Sequence, residues 1–366
     1  MWRRVLVLAA AVLVGMVPAC GWPSGGTPLP PASARMRGMT EAGYKATVLG
    51  SPQVIGQLAL LKKDGVDWIA VQTAWYQKTD ASTHIFPDPT LTPTDASVTR
   101  LIRAAHQDGF RVFLNPFVNS LTGNGWQANF HPRSVTAWFR SFDGYLAHYA
   151  KLAQIDHADL LAIGDEFQSL DDVLSYRPYW LHAIAVARRY YKGPVTYGAN
   201  YPDYQQVTFW TALNDVGIDA YFPLSQAPDP TVQELRAAWN READAIEAWR
   251  QRSGLAEKPF LITELGYPSE NRADAEPGAW YPHQPVNLSM QQKLYLATFE
   301  TIYQRPWLRG IFWFWWANPS NPDWEGGPGD NGYTLKGKPA LKVLREYFTG
   351  HGPGMIRKRS GAASAS

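Results

Sequence analysis

The sequence predicts a single (β/α)8 barrel, an α/β fold, and three observations carry that reading. Eight short apolar runs alternate with eight amphipathic stretches between residues 36 and 350 of a 366-residue chain. The runs are rich in Val, Ile, Phe and Trp and bounded by Gly, Pro or Asp, as buried parallel strands are. An open doubly wound sheet would need a phosphate-binding glycine turn early in the chain, and the sequence has none there.

Taken in order, the chain starts with Trp2-Arg3-Arg4 and an apolar run from Val5 to Val17. That run falls short of the ~20 residues that span a bilayer, so residues 1–19 read as a secretory signal. Val17-Pro18-Ala19-Cys20 resembles a bacterial lipobox. Cys20 is then the expected lipidation site and the cell envelope the expected location; plain secretion is the alternative. Residues 20–35, rich in Gly, Pro, Ser and Ala, suit a flexible tether.

The predicted strands are Arg37–Tyr44, Val66–Trp75, Phe110–Val118, Ala158–Phe167, Pro194–Asn200, Gly217–Leu224, Pro259–Tyr267 and Gly310–Ala317. The predicted helices are Gln53–Lys63, Asp95–Asp108, Ser134–Gln154, Asp171–Tyr191, Tyr204–Leu213, Val232–Arg252, Ser289–Gln304 and Pro339–Phe348. Turns such as Asp64-Gly65 and Asp108-Gly109 close helices ahead of strands. The barrel domain spans 36–350, and residues 351–366, basic then small and polar, read as a disordered tail.

Composition narrows the function. A balance of 34 Lys+Arg against 32 Asp+Glu leaves a net charge of +2, which excludes a broad basic face for nucleic acid. A single Cys excludes an internal disulfide and any Cys-based zinc or iron–sulfur site. The eight His residues show no metal-binding spacing, and no cofactor or metal is expected. Gly327-Pro328-Gly329-Asp330-Asn331-Gly332 fits G-x-G-x-x-G but opens no βαβ unit, so it reads as a surface turn. With 16 Trp, 18 Tyr and 15 Phe, the chain carries more flat rings than a core needs.

In a barrel the chemistry sits at the C-terminal ends of the strands. The fourth apolar run ends in Glu166 and the seventh in Glu264. Strict alternation places Ala162, Gly164 and Glu166 on one face. Paired carboxylates suit glycoside hydrolysis, where one acid protonates the leaving oxygen and the other attacks the anomeric carbon or activates water. Aromatic strand ends suit sugar C–H faces. Trp75, Tyr221, Trp315 and Trp316 are the aromatic candidates for substrate binding, whereas Trp313 reads as packing. Asn119, Asn200 and Asp165 are the polar candidates.

These segments resemble glycoside hydrolase clan A, and more closely glycoside hydrolase family 113. The likeness rests on Gly50-Ser51-Pro52, Ala74-Trp75-Tyr76-Gln77, Ser82-Thr83-His84-Ile85, Thr92-Pro93-Thr94-Asp95 and Ala104-Ala105-His106 with Gly109. It continues through Ile163-Gly164-x-Glu166-Phe167, Ile218-Asp219-Ala220-Tyr221-Phe222-Pro223 and Thr263-Glu264-Leu265-Gly266-Tyr267. The resemblance implies a retaining enzyme acting on β-1,4-mannan, with Glu166 as general acid/base and Glu264 as nucleophile. It makes Tyr221 the partner of the nucleophile and Trp315 or Trp316 the floor of the −1 subsite. Asp165 stands where clan A commonly carries Asn.

The resulting expectation is double displacement on a β-linked polysaccharide by a monomer that touches membrane only through its lipid. The negative charge of Glu264 should help raise Glu166 above its ordinary value. The alternatives are a hydrolase or transglycosylase for another β-glycan, such as a bacterial exopolysaccharide, and a silent carbohydrate-binding lipoprotein.

Overall fold

In the computed structural model, residues 35–122, 125–279, 283–316 and 326–351 are described. The expected signal, the lipidation site Cys20 and nearly all of the tether and tail lie outside them. Eight parallel strands close into a barrel: β1 (Met36–Ala42), β2 (Trp68–Gln77), β4 (Arg111–Ser120), β5 (Leu160–Asp165), β6 (Val195–Asn200), β7 (Val216–Asp219), β8 (Phe260–Leu265) and β9 (Leu308–Trp313). The ring is completed by β1 pairing with both β2 and β9. The short β3 (Ile85–Phe86) folds back antiparallel on the end of β2.

Around the strands lie α1 (Pro52–Ile55), α2 (Leu58–Lys63), α3 (Asp95–Gln107), α4 (Val135–Ile155), α5 (Gln168–Asp171), α6 (Arg177–Tyr190), α7 (Val232–Arg252), α8 (Leu288–Glu300) and α9 (Pro339–Phe348). Their starts follow the capping rules. Thr94 and Ser134 each accept from the backbone three residues on, and Thr231 forms a capping box with Glu234. The expected helix Gln53–Lys63 splits in two at Gly56-Gln57. The expected Asp171–Tyr191 starts late, because a turn of 3-10 helix at Leu174–Tyr176 precedes α6.

One expected helix is absent. Residues 204–213 form turns and a 3-10 turn at Trp210–Ala212 instead of an α-helix. The polar groups of this segment are engaged elsewhere. Thr208 donates its N–H and its hydroxyl to Asp171 O, and Trp210 Nε1 donates to Tyr204 O at 2.7 Å. The Phe209 ring stacks on Trp180 at 4.7 Å, filling the place of a helix between β6 and β7.

The barrel interior is solid. Met36, Trp68, Ala70, Phe113, Leu160, Ala162, Leu261 and Phe312 form one buried cluster. Phe312 packs on Phe113 at 4.9 Å and on Trp68 at 6.1 Å. Gly38 is required beside it, since a Cβ there would stand 2.2 Å from the Phe312 ring. This plug closes the lower lumen and leaves the upper end of the strands for polar groups.

Candidate active site

Two irregularities in the strands shape the mouth. Between β5 and β6 the register shifts between Ala162 and Asp165, and such an extra residue reverses the facing of those that follow. Gly164 therefore points outward, against the expected alternation. A Cβ there would meet the Phe167 ring at 2.9 Å and Tyr197 at 3.2 Å. Asp165 points inward in its place. A second shift, between Ile218 and Asp219 in the pairing of β7 with β8, lets Thr263 and Glu264 both reach the lumen.

Glu166 has a φ of 49°, the left-handed region, which costs a non-glycine residue about 1–3 kcal/mol. Its neighbours hold it there. The Glu166 N–H donates to Gly198 O at 2.7 Å, and the Phe167 N–H donates to the Tyr197 hydroxyl at 2.7 Å. Tyr197 in turn donates to Asp171 Oδ2 at 2.6 Å. Among the described residues the Glu166 side chain accepts one hydrogen bond, from Trp126 Nε1 to Oε2 at 2.6 Å.

Glu264 is held differently. Tyr221 donates its hydroxyl to Oε1 at 2.7 Å, and Gln72 Nε2 donates to Oε2 at 2.9 Å. Gln72 comes from β2, so this contact crosses the barrel. Burial, and then the negative charge of Glu264, push the Glu166 carboxyl up to about 7; the Trp126 hydrogen bond pulls it back. Burial pushes Glu264 up to about 7 as well, against the donors Tyr221 and Gln72, which both favour the carboxylate. Two donors against one make Glu264 the acid that ionises first.

Around these glutamates the inward strand positions are polar. Asp165 Oδ2 accepts from Gln127 Nε2 at 3.3 Å, and Asp219 Oδ1 accepts from Thr263 Oγ1 at 2.9 Å. Burial, followed by neighbouring carboxylates, pushes both aspartates well above their ordinary values. No ion pair neutralises any of the four acids among the described residues. Nor do three or more His, Cys, Asp or Glu side chains there form a group that could hold a metal ion.

Of the predicted site residues, the structure brings Asp165, Glu166, Tyr221 and Glu264 together. Asn119 lies half-buried near the end of β4, on the face shared with Phe113, and Asn200 is buried at the end of β6. Asn200 Nδ2 donates to Gln168 Oε1 at 3.2 Å and lines a cleft of about 410 Å³ with Trp126, Asn129, Gln168, Asp172 and Tyr201. Trp315 is buried beside Tyr44, which also meets Phe117 on the inner face of β4. Trp316 is buried and donates Nε1 to Gln57 Oε1 at 3.3 Å. Trp313 stacks on Tyr295 of α8 at 4.0 Å and is packing, as its sequence position suggests.

Trp75 requires a correction. It occupies an outward position of β2, and its ring packs against Tyr145, His148 and Tyr149 of α4 at 5.0–6.0 Å. Strand parity, read from inward Trp68, Ala70 and Gln72, would have placed it there. Sequence reading also missed Gln72, Trp126, Gln127, Tyr197 and Asp219. Their signal was a polar group at an inward strand position (Gln72, Asp219) or in a strand-end loop (Trp126, Gln127); Tyr197 gave none, since it lies in β6 and packs on Trp180 of the helix layer. It missed Glu41 in β1 as well, a 1% exposed carboxyl whose burial pushes it up to about 8 against the charge of Lys336.

A (β/α)8 mouth with two glutamates in unlike settings, flanked by aromatic rings, is that of an enzyme that cleaves glycosidic bonds. Comparison with known proteins gives the family. The family described as Glycoside Hydrolase Family 113 matches residues 44–338, and the chain belongs to it and is a glycoside hydrolase acting on poly- or oligosaccharide. A solved complex of a GH113 beta-1,4-mannanase is 26% identical with a TM-score of 0.76, covering 86% of this chain and 99% of its own. The GH113 beta-mannanase AaManA from Alicyclobacillus acidocaldarius, solved with ManMIm, is 25% identical with a TM-score of 0.76, covering 86% and 97%. A β-glucuronidase from Ruminococcus gnavus, at 12% identity and a TM-score of 0.58 over 86% of this chain and 50% of its own, shares the fold. No curated protein matches the chain.

Proposed function

We propose that the chain is a retaining β-mannanase. Glu264 attacks the anomeric carbon while Glu166 protonates the departing sugar oxygen. Glu166 then takes a proton from water, which displaces Glu264 from the glycosyl-enzyme. The observation that carries the assignment is the unequal hydrogen bonding of the two acids. Tyr221 and Gln72 hold the Glu264 carboxylate ready to attack, whereas Glu166 faces one donor and the charge of Glu264. That split is what acid and nucleophile need near neutral pH. Mannan is the substrate named for the two solved relatives at 25–26% identity. The cleft beside Trp126 lies on the Glu166 side and suits the leaving-group sugars, with Trp126 and Tyr201 as stacking rings. At the N-terminus we read an export signal and a lipid on Cys20, which metabolic labelling with a fatty-acid analogue, abolished by Cys20→Ser, would test.

The test is hydrolysis of a panel of β-linked polysaccharides beside Glu264→Gln and Glu166→Ala. Manno-oligosaccharides should appear with wild type and not with Glu264→Gln, and azide should rescue Glu166→Ala on an activated substrate. Near wild-type turnover by Glu264→Gln would overturn the assignment. Release from another β-glycan alone would keep the chemistry and change the substrate.

A further inference from the structure

Asp165 and Asp219 meet over Gly198. A Cβ on Gly198 would stand 2.4 Å from Asp165 Oδ1 and 2.8 Å from Asp219 Oδ2, so two carboxylate oxygens converge on a spot that only glycine leaves open. The outer oxygens are served, by Gln127 and by Thr263. Among the described residues no donor meets the converging oxygens in hydrogen-bond geometry, and the residues are only 4% and 0% exposed. Two ionised carboxylates facing each other in a dry site would repel strongly, and each would leave a buried lone pair unsatisfied. One proton between them removes both penalties.

We propose that Asp165 and Asp219 share a single proton above Gly198, and that this pair is a positioning device for Glu166 and Glu264. The role assigned to the pair rests on the reading of those two glutamates as the catalytic acids; the shared proton does not. The groups facing the pair are the Glu166 and Glu264 carboxyls, the Tyr145 and Tyr197 hydroxyls toward Asp165, the Tyr221 hydroxyl toward Asp219, and the Asn115 amide. Among the described residues no cation joins them. The proton therefore limits the pair to one negative charge instead of two beneath the reacting glutamates. It also ties β5, whose next residue is Glu166, to β7, which pairs with the strand carrying Glu264.

Charge counting makes this testable. In Asp165→Asn or Asp219→Asn an amide replaces one acid and the shared proton, so the pair keeps one negative charge. The alkaline limb of the kcat/KM profile, set by loss of the Glu166 proton, should then stay in place whatever the absolute rate. The double variant removes the last charge and should move that limb down by about one pH unit or more at an effective dielectric near 20. Were both aspartates ionised, each single variant would itself move the limb down; were both protonated, the double variant would leave it unmoved; either result overturns the proposal. Infrared spectra of the unmodified protein give a second reading that needs no activity. Above the titrations of Glu41, Glu166 and Glu264, near 8, 7 and 7, a carboxylic-acid C=O band should persist. Its absence overturns the shared proton even in a fully active enzyme, and its presence stands even if no glycan is cleaved.

Discussion

Replacing Glu41 by Gln should change how stability depends on pH. Glu41 lies in β1 with Oε1 unpartnered among the described residues, and burial raises its carboxyl from 4.5 to about 8. Below pH 4.5 native and unfolded chains both hold the proton. Between 4.5 and 8 the unfolded chain releases it and the native chain keeps it, so native stability falls as pH rises through that window. At ~1.4 kcal/mol per pH unit, the loss is about 3 kcal/mol at pH 7 and about 5 kcal/mol once pH passes 8. Gln cannot ionise. Its unpaired amide adds a cost of about 1–3 kcal/mol that is the same at every pH. Urea unfolding from about pH 5 to pH 8 should show the variant gaining on wild type by about 3 kcal/mol or more, with equal m-values. Parallel stability curves would refute the reasoning, since they would mean that Glu41 is ionised in the native state throughout.

Two further substitutions probe the mouth and a third the helix layer. Trp126→Phe removes the hydrogen bond that lowers Glu166, so the alkaline limb of the pH–rate profile should move to higher pH. Tyr197→Phe removes the hydroxyl that accepts from Phe167 N–H and donates to Asp171. The left-handed Glu166 loses a support, and kcat should fall roughly 10-fold or more with a smaller change in KM, as for a misplaced acid. Trp75→Ala empties a half-buried site against α4, so the unfolding free energy from urea titration should drop by about 3 kcal/mol, while KM for an oligosaccharide stays near wild type; a selective rise in KM would return Trp75 to the substrate.

The barrel was legible because hydrophobic alternation is a strong signal. Each of the eight predicted runs overlaps a strand, and helices such as Val232–Arg252 and Pro339–Phe348 match residue for residue. The failures have local causes. Residues 204–213 contain apolar side chains at helical spacing, but Thr208, Phe209 and Trp210 find tertiary partners that a helix would deny them. In the fourth strand, Gly164 and Asp165 exchange faces because of a bulge, and nothing in the composition of Leu160–Glu166 announces an extra residue. The two glutamates were found from their places at strand ends. Gln72, Trp126 and Asp219 were not, because each acquires meaning only from the carboxylate it faces across the lumen or from a loop. Trp75 shows the opposite error, an aromatic at a strand end whose parity sends it to the helix layer.

The gap in the helical ring has a bearing on how the chain assembles. Gly198 of β6 pairs with Gly217 of β7, 19 positions on, whereas Phe260 of β8 pairs with Leu308 of β9, 48 positions on, and Met36 waits for Gly310. Loop-closure entropy grows with the logarithm of that separation, which favours the β6–β7 pairing over β8–β9 by about 0.8 kcal/mol. A crossover without a helix thus gives the chain a cheap first parallel pair, from which strands can be added in both directions. The amides of β6 and β7 should be the first protected in pulsed hydrogen exchange, and the β1–β9 seam, the longest closure, the last.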